Sequence, residues 1–118
     1  MADKYFFYLV MPDKRPGFGI AQDLKSRNQQ YCSHNGKLVN MPFVYAGHRP
    51  HAKALERNIK QVMSDKIWCI EDWRTEWLTV TLKELKLTVD TLIAERHYKV
   101  KLVMQDYNFT KEVQDGSE

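Results

Sequence analysis

In this chain of 118 residues, the segment Gly17-Phe18-Gly19-Ile20-Ala21-Gln22-Asp23-Leu24-Lys25-Ser26-Arg27-Asn28-Gln29-Gln30-Tyr31 carries the residue types and spacing that suit phosphate chemistry. Arg27 and Tyr31 are four apart, so on a helix they share a face. A guanidinium can hold phosphate oxygens two at a time. Asp23 is placed to cap such a helix, its carboxylate accepting from the free N–H groups of the first turn. Gly17 and Gly19 flank Phe18 and let the backbone bend or approach another group closely. A short strand, a glycine turn, a helix start and an Arg/Tyr pair together present a phosphate-facing surface.

The charge distribution agrees with that surface. The net charge is +3 overall, yet residues 1–60 carry +6 and residues 61–118 carry −3. The positive half holds the Arg27 segment, as a phosphate-binding face requires. Composition is that of an ordinary globular protein, with 43% hydrophobic and 28% charged residues. No apolar run of about 18 residues exists to span a membrane, and Met-Ala-Asp-Lys has no apolar signal-peptide core. Cys32 and Cys69 fit free thiols in a reducing, cytoplasmic setting. They have no His partners at ligand spacing, which excludes a zinc site built on them.

The elements that must position Arg27 and Tyr31 follow from local pattern. Tyr5 to Met11 reads as a buried strand with Phe6, Tyr8 and Val10 on one face and Tyr5, Phe7, Leu9 and Met11 on the other. Pro12 to Pro16 is a turn with Lys14 and Arg15 at its tip, and Gly17 to Ala21 pairs back antiparallel. The first helix runs from Asp23 to about Cys32, followed by a loop at Ser33–Lys37. Pro42 to Gly47 is a third strand, and Pro50 opens a second helix with a core stripe of Ala52, Leu55, Ile59, Val62 and Met63. Glu56 lies at the margin of that stripe. Ile67–Ile70 is a strand or buried connection. Thr81-Leu82-Lys83-Glu84 is a capping box for a third helix with Leu82, Leu85, Val89, Leu92 and Ile93 inward. Tyr98, Val100, Leu102 and Met104 alternate as a half-exposed final strand. The expectation is one α+β domain over 1–113: a small antiparallel sheet with a three-stranded core flanked by helices (about 5–65), a C-terminal helix–strand extension (66–113), and a flexible tail at 114–118.

Tyr5-Phe6-Phe7-Tyr8, then Gly-Ile-Ala-Gln-Asp-Leu-Lys-Ser-Arg, then Phe43-Val44-Tyr45-Ala46 and Ala52-Lys53-Ala54-Leu55-Glu56-Arg57-Asn58-Ile59 together resemble the GIY-YIG nuclease core. The nearest branch has a motif of the type Tyr-x-Leu … Lys-Ile-Gly-Ile-Thr-x-Asp-x-x-x-Arg. The resemblance covers about half the chain. It implies a metal-dependent endonuclease hydrolysing DNA phosphodiesters with one Mg²⁺ or Mn²⁺ ion, with DNA rather than RNA as partner, no membrane, a monomer or homodimer, and a phage or mobile-element origin.

Carried over by position, the resemblance makes Tyr8 a proton-handling group, Arg27 the phosphate contact, Tyr31 its helix neighbour, Glu56 the metal ligand and Gly19 the motif glycine. Lys14, Arg15, Lys25 and Arg49, with Arg27, would form a nucleic-acid-binding face. Two features depart from the pattern. The second motif's Tyr or Lys falls on Gly17 or Phe18, and the Asn that often closes the metal helix has no equivalent, Asn58 being misplaced and residues 66–76 offering no evident substitute. The chain therefore also reads as a module of that fold without catalysis, binding nucleic acid or a host protein, or as an unrelated α+β interaction protein. His48 and His51 flank the start of the Glu56 helix near the expected cleft, and Trp68, Trp73 and Trp77 read as core residues.

Overall fold

The computed structural model describes residues 4–12, 14–35, 39–70 and 73–108; the expected tail at 114–118 lies outside them. The described elements are β1 (Lys4–Met11), β2 (Gly17–Ala21), α1 (Leu24–Asn35), β3 (Asn40–His48), α2 (Arg49–Val62), β4 (Ile67–Ile70), β5 (Trp73–Leu78), α3 (Leu82–Arg96) and β6 (Val100–Asn108). The α+β class and the antiparallel sheet flanked by helices are as expected. The last strand enlarges the sheet to four, in the order β2-β1-β3-β6, with every pair antiparallel. A separate ribbon, β4-β5, stands at the β2 edge, where the Leu78 amide donates to the Pro16 carbonyl at 2.9 Å.

The period of two in β1 divides the protein into two cores. Phe7 and Leu9 pack with Leu55 and Ile59 of α2, Leu85 and Val89 of α3, and Tyr45. Tyr8 and Val10 point the other way, against Leu24 and Tyr31 of α1, Val39, Met41 and Val44. So α1 covers one face of the sheet, and α2 with α3 the other. Tyr45 ties α3 down as well, its hydroxyl donating to Asp90 at 2.6 Å, with Lys86 paired to the same carboxylate.

Local signals explain the helix ends. Asp23 accepts from the Lys25 and Ser26 amides at 3.0 and 3.3 Å and from the Ser26 hydroxyl. The backbone bond from Ser26 leads the effects that hold its carboxyl below the usual aspartate value. Thr81 accepts from the Glu84 amide at 3.1 Å and caps α3. Three details differ from the sequence reading. Helix α1 runs on to Asn35, past the expected end at Cys32. Val62 is 46% exposed, because the inward stripe of α2 passes through Leu55, Ile59 and Met63 at intervals of four. The segment Trp73–Leu78 is a strand, paired to β4.

One polar residue fixes α1 to the sheet. Asn28 is fully buried; its amide donates to the Val39 carbonyl at 2.8 Å, and its side-chain oxygen accepts from the Val39 amide at 2.9 Å. Asn28→Ala strands both backbone groups, at about 1–3 kcal/mol for each group left unsatisfied. A loss of about 2–6 kcal/mol in the urea unfolding free energy is expected. A loss under about 0.5 kcal/mol, the level of an ordinary surface substitution, would mean that water replaces the clamp.

Candidate phosphate-binding site

Helix α1 is mostly polar, and its inward face is Leu24, Arg27, Asn28 and Tyr31, spaced i, i+3, i+4 and i+7. Two of the four are apolar or aromatic anchors, one is the Asn28 clamp, and Arg27 is half-buried between them. That spacing sets Tyr31 against Tyr8 of β1. The two hydroxyls are 2.9 Å apart, and the rings meet edge to face with centroids 6.2 Å apart. Arg27 Nη1 lies 3.5 Å from the Tyr8 hydroxyl, at the outer limit of hydrogen bonding, so the guanidinium still has donors for an anion.

Gly19 stands opposite Tyr8 in the β1–β2 register. A Cβ there would fall 2.5 Å from the Tyr8 hydroxyl oxygen, so the glycine provides the room in which that hydroxyl sits. At Gly17, where the resembled motif has a tyrosine or lysine, a Cβ would meet the Trp77 ring at 2.7 Å. Trp77 covers that position and packs on Tyr31, with centroids 6.0 Å apart. An indole from β5 thus fills the space into which a side chain at 17 would project.

Burial first, and then neighbouring groups, set the electrostatics. Desolvation raises both tyrosines. Their mutual hydrogen bond lowers Tyr8 and raises Tyr31, and the Arg27 charge lowers both. Negative charge on the Tyr8 oxygen would be met by two donors, the Tyr31 hydroxyl and the Arg27 guanidinium, but burial outweighs both and holds the Tyr8 pKa above its ordinary value. At neutral pH both are phenols. The carboxylate whose charge opposes ionisation of both is Glu76 of β5, a residue that the sequence reading did not single out. A signal for its strand was present: Trp73, Thr75 and Trp77 alternate, as aromatic and β-branched residues do along a strand.

Glu56 sits elsewhere. It lies on α2, beside Leu55, and α2 packs on the sheet face opposite α1. Its side chain is 23% exposed and makes a loose ion pair with Lys60 at 4.0 Å. Lys60 in turn lines a cleft at the β2 edge together with Glu76. The β2 edge is thus the seam between the tyrosine–arginine cluster and the Glu56 helix. Among the described residues no three His, Cys, Asp or Glu side chains gather as a metal cage. One hard carboxylate, loosely paired and partly exposed, fits the magnesium or manganese mode, in which one or two carboxylates, waters and substrate oxygens complete an octahedron.

The expected basic face divides between the two ends of the sheet. Lys14 is exposed and Arg15 half-buried at the β1–β2 tip, where the Arg15 guanidinium stacks on Trp68 at 4.2 Å. Lys25 and Arg49 are exposed at the opposite end, near Lys4, and Arg49 lies over the Tyr5 ring at 5.9 Å. The eight residues of β1 separate the ends by about 23 Å, at roughly 3.3 Å per residue. His51 is engaged with the start of β6, its Nδ1 accepting from the Lys99 amide at 3.1 Å, and His48 precedes α2 as an exposed residue. Trp68 and Trp77 are half-buried; the Trp73 side chain lies outside the described set. Among the described helices none is long and apolar enough to cross a membrane.

Compared with known proteins, residues 5–93 match the family model described as T5orf172 domain. No curated protein and no solved structure matches the chain.

Proposed function

The chain belongs to the T5orf172 domain family, a phage-associated domain found in endonuclease contexts, and from that premise we propose that it is a small GIY-YIG-type endonuclease hydrolysing DNA with Mg²⁺ or Mn²⁺. The observation that supports this best is the convergence of Tyr8, Tyr31 and Arg27 from β1 and α1, in the order that the sequence resemblance anticipates. In this reading Arg27 receives the scissile phosphate and stabilises the charge that grows on it. Tyr8 would relay a proton, handing on its own as it receives one, a step that burial opposes and that Arg27 and Tyr31 assist. Tyr31 orients the Tyr8 hydroxyl. Glu56 would hold the divalent ion, and because α2 lies on the sheet face opposite Arg27 this role requires the DNA to reach across the β2 edge; a bound ion would supply an activated water and charge neutralisation. Lys14, Lys25 and Arg49 would contact the DNA backbone on either side.

The test is nicking of supercoiled plasmid with Mn²⁺ by the wild type and by Glu56→Ala at equal purity. Nicking that vanishes in the variant is expected. Equal nicking in both would assign the activity to a contaminant and remove Glu56 from the site.

A second reading has its own support. Trp77 closes over Gly17, where the second proton-handling group is missing, and the sheet separates Glu56 from Arg27. A module that binds DNA through Arg27 without cutting it fits both features. It predicts no nicking by either protein, with DNA retained in a low-salt gel shift that Arg27→Ala abolishes.

A further inference from the structure

We propose that the cleft at the β2 edge is a base pocket that takes an extruded guanine, a specificity element resting on the DNA-hydrolase reading above. The cleft has a volume of about 330 Å³, at the small end of the range of roughly 300–1,000 Å³ for ligand sites. Its walls are Phe18, Met63, Ile67 and Leu78, with Lys60 and Glu76 as its charged members. Both charged residues are exposed, so they stand at the open side.

The chemistry selects the occupant. Phe18 is a half-buried ring held against Phe7, with centroids 5.9 Å apart, and offers an aromatic wall for stacking. A carboxylate only accepts, and it accepts best from two adjacent donors. An ammonium only donates. Guanine presents N1–H and N2–H₂ side by side, with the O6 acceptor next to them. Glu76 matches the donor pair and Lys60 the oxygen. Adenine and cytosine offer Glu76 a single exocyclic amine, and thymine a single ring N–H.

Position links the pocket to the backbone site. Successive side chains on a strand point to opposite sides. On β5, Trp77 goes to the α1 face and packs on Tyr31, while Leu78 joins the α2–α3 core and Glu76 lines the cleft. One strand thus walls both the tyrosine–arginine cluster and the cleft. A nucleotide lying over the β2 edge could place its phosphate on one side and its flipped base on the other.

The experiment titrates the full chain with the four deoxynucleosides, which carry no phosphate for Arg27, and follows backbone amide shifts by NMR. Deoxyguanosine is expected to move the amides of Phe18, Lys60 and Glu76 and to bind about tenfold or more tighter than the other three, as one bidentate contact is worth. Glu76→Gln should lose that margin while keeping the wild-type thermal midpoint. Arg27→Ala should keep the binding, since a nucleoside does not reach the phosphate cluster. Unmoved amides, equal response to all four nucleosides, or wild-type binding by Glu76→Gln would each overturn the proposal. A protein that binds deoxyguanosine but leaves DNA uncut sinks the hydrolase reading alone. One that cuts DNA but ignores deoxyguanosine sinks the pocket alone.

Discussion

Arg27→Ala should lower the single-turnover rate of DNA cleavage about 100- to 1,000-fold, the loss that follows removal of one preorganised charge stabiliser from a transition state. The guanidinium is half-buried and oriented by its neighbours: Asn28, the next residue, is itself anchored to Val39, and the Tyr8 hydroxyl lies 3.5 Å from Nη1. Arg27→Lys should recover only part of the rate, because an ammonium keeps the charge but not the planar fork that binds two phosphate oxygens. Binding measured by gel shift should fall much less than the rate, since the interaction strengthens as charge develops. A variant that cuts at the wild-type rate would remove Arg27 from the chemistry. Parallel losses in binding and rate would show that it holds ground state and transition state alike.

Alkaline pH should unfold the protein steeply. Tyr8, Tyr31 and Tyr45 are all buried, and each has its pKa raised above the ordinary 10.0. Burial is the largest cause for all three; for Tyr45 the Asp90 carboxylate, as hydrogen-bond acceptor and as charge, adds to it. The folded state therefore keeps protons that the unfolded chain gives up near pH 10. The stability is fully present below that pH and is lost as pH rises through and beyond it. Each tyrosine contributes a slope of about 1.4 kcal/mol per pH unit, about 4 kcal/mol per unit for the three together. Urea midpoints across the alkaline range, with tyrosinate absorbance as the second signal, should show unfolding and ionisation together. Tyr45→Phe should remove about a third of the slope. If tyrosinate for these three instead formed near pH 10 with the fold intact, the cores would have to admit water.

How much of this was legible in the sequence depended on the range of the interaction. The β1–β2 hairpin, the Asp23 and Thr81 caps and the inward stripe of α3 follow from residues within a turn or two of each other, and the structure contains them. The shared face of Arg27 and Tyr31 is of the same kind, because four residues along a helix return to one side. Asn28 is harder to see: a buried Asn looks like any polar helix residue until Val39 is brought against it. Glu76, and the position of Trp77 over Gly17, were missed for the same reason. Nothing local says that an acidic stretch with two tryptophans will pair with Ile67–Ile70 and lay an indole on Gly17.

By itself, then, the sequence determined the α+β class, the order of the elements apart from β5 and the Arg27–Tyr31 face, since periodicity, caps and turn residues act through neighbours in the chain. The tertiary structure alone decided that β6 joins β3, that α1 and α2 lie on opposite faces of the sheet, and that β5 docks at the β2 edge with Trp77 on Tyr31. Those choices depend on which apolar faces bury one another. The free energy of that burial belongs to surfaces distant in sequence, and no short window of residues contains it.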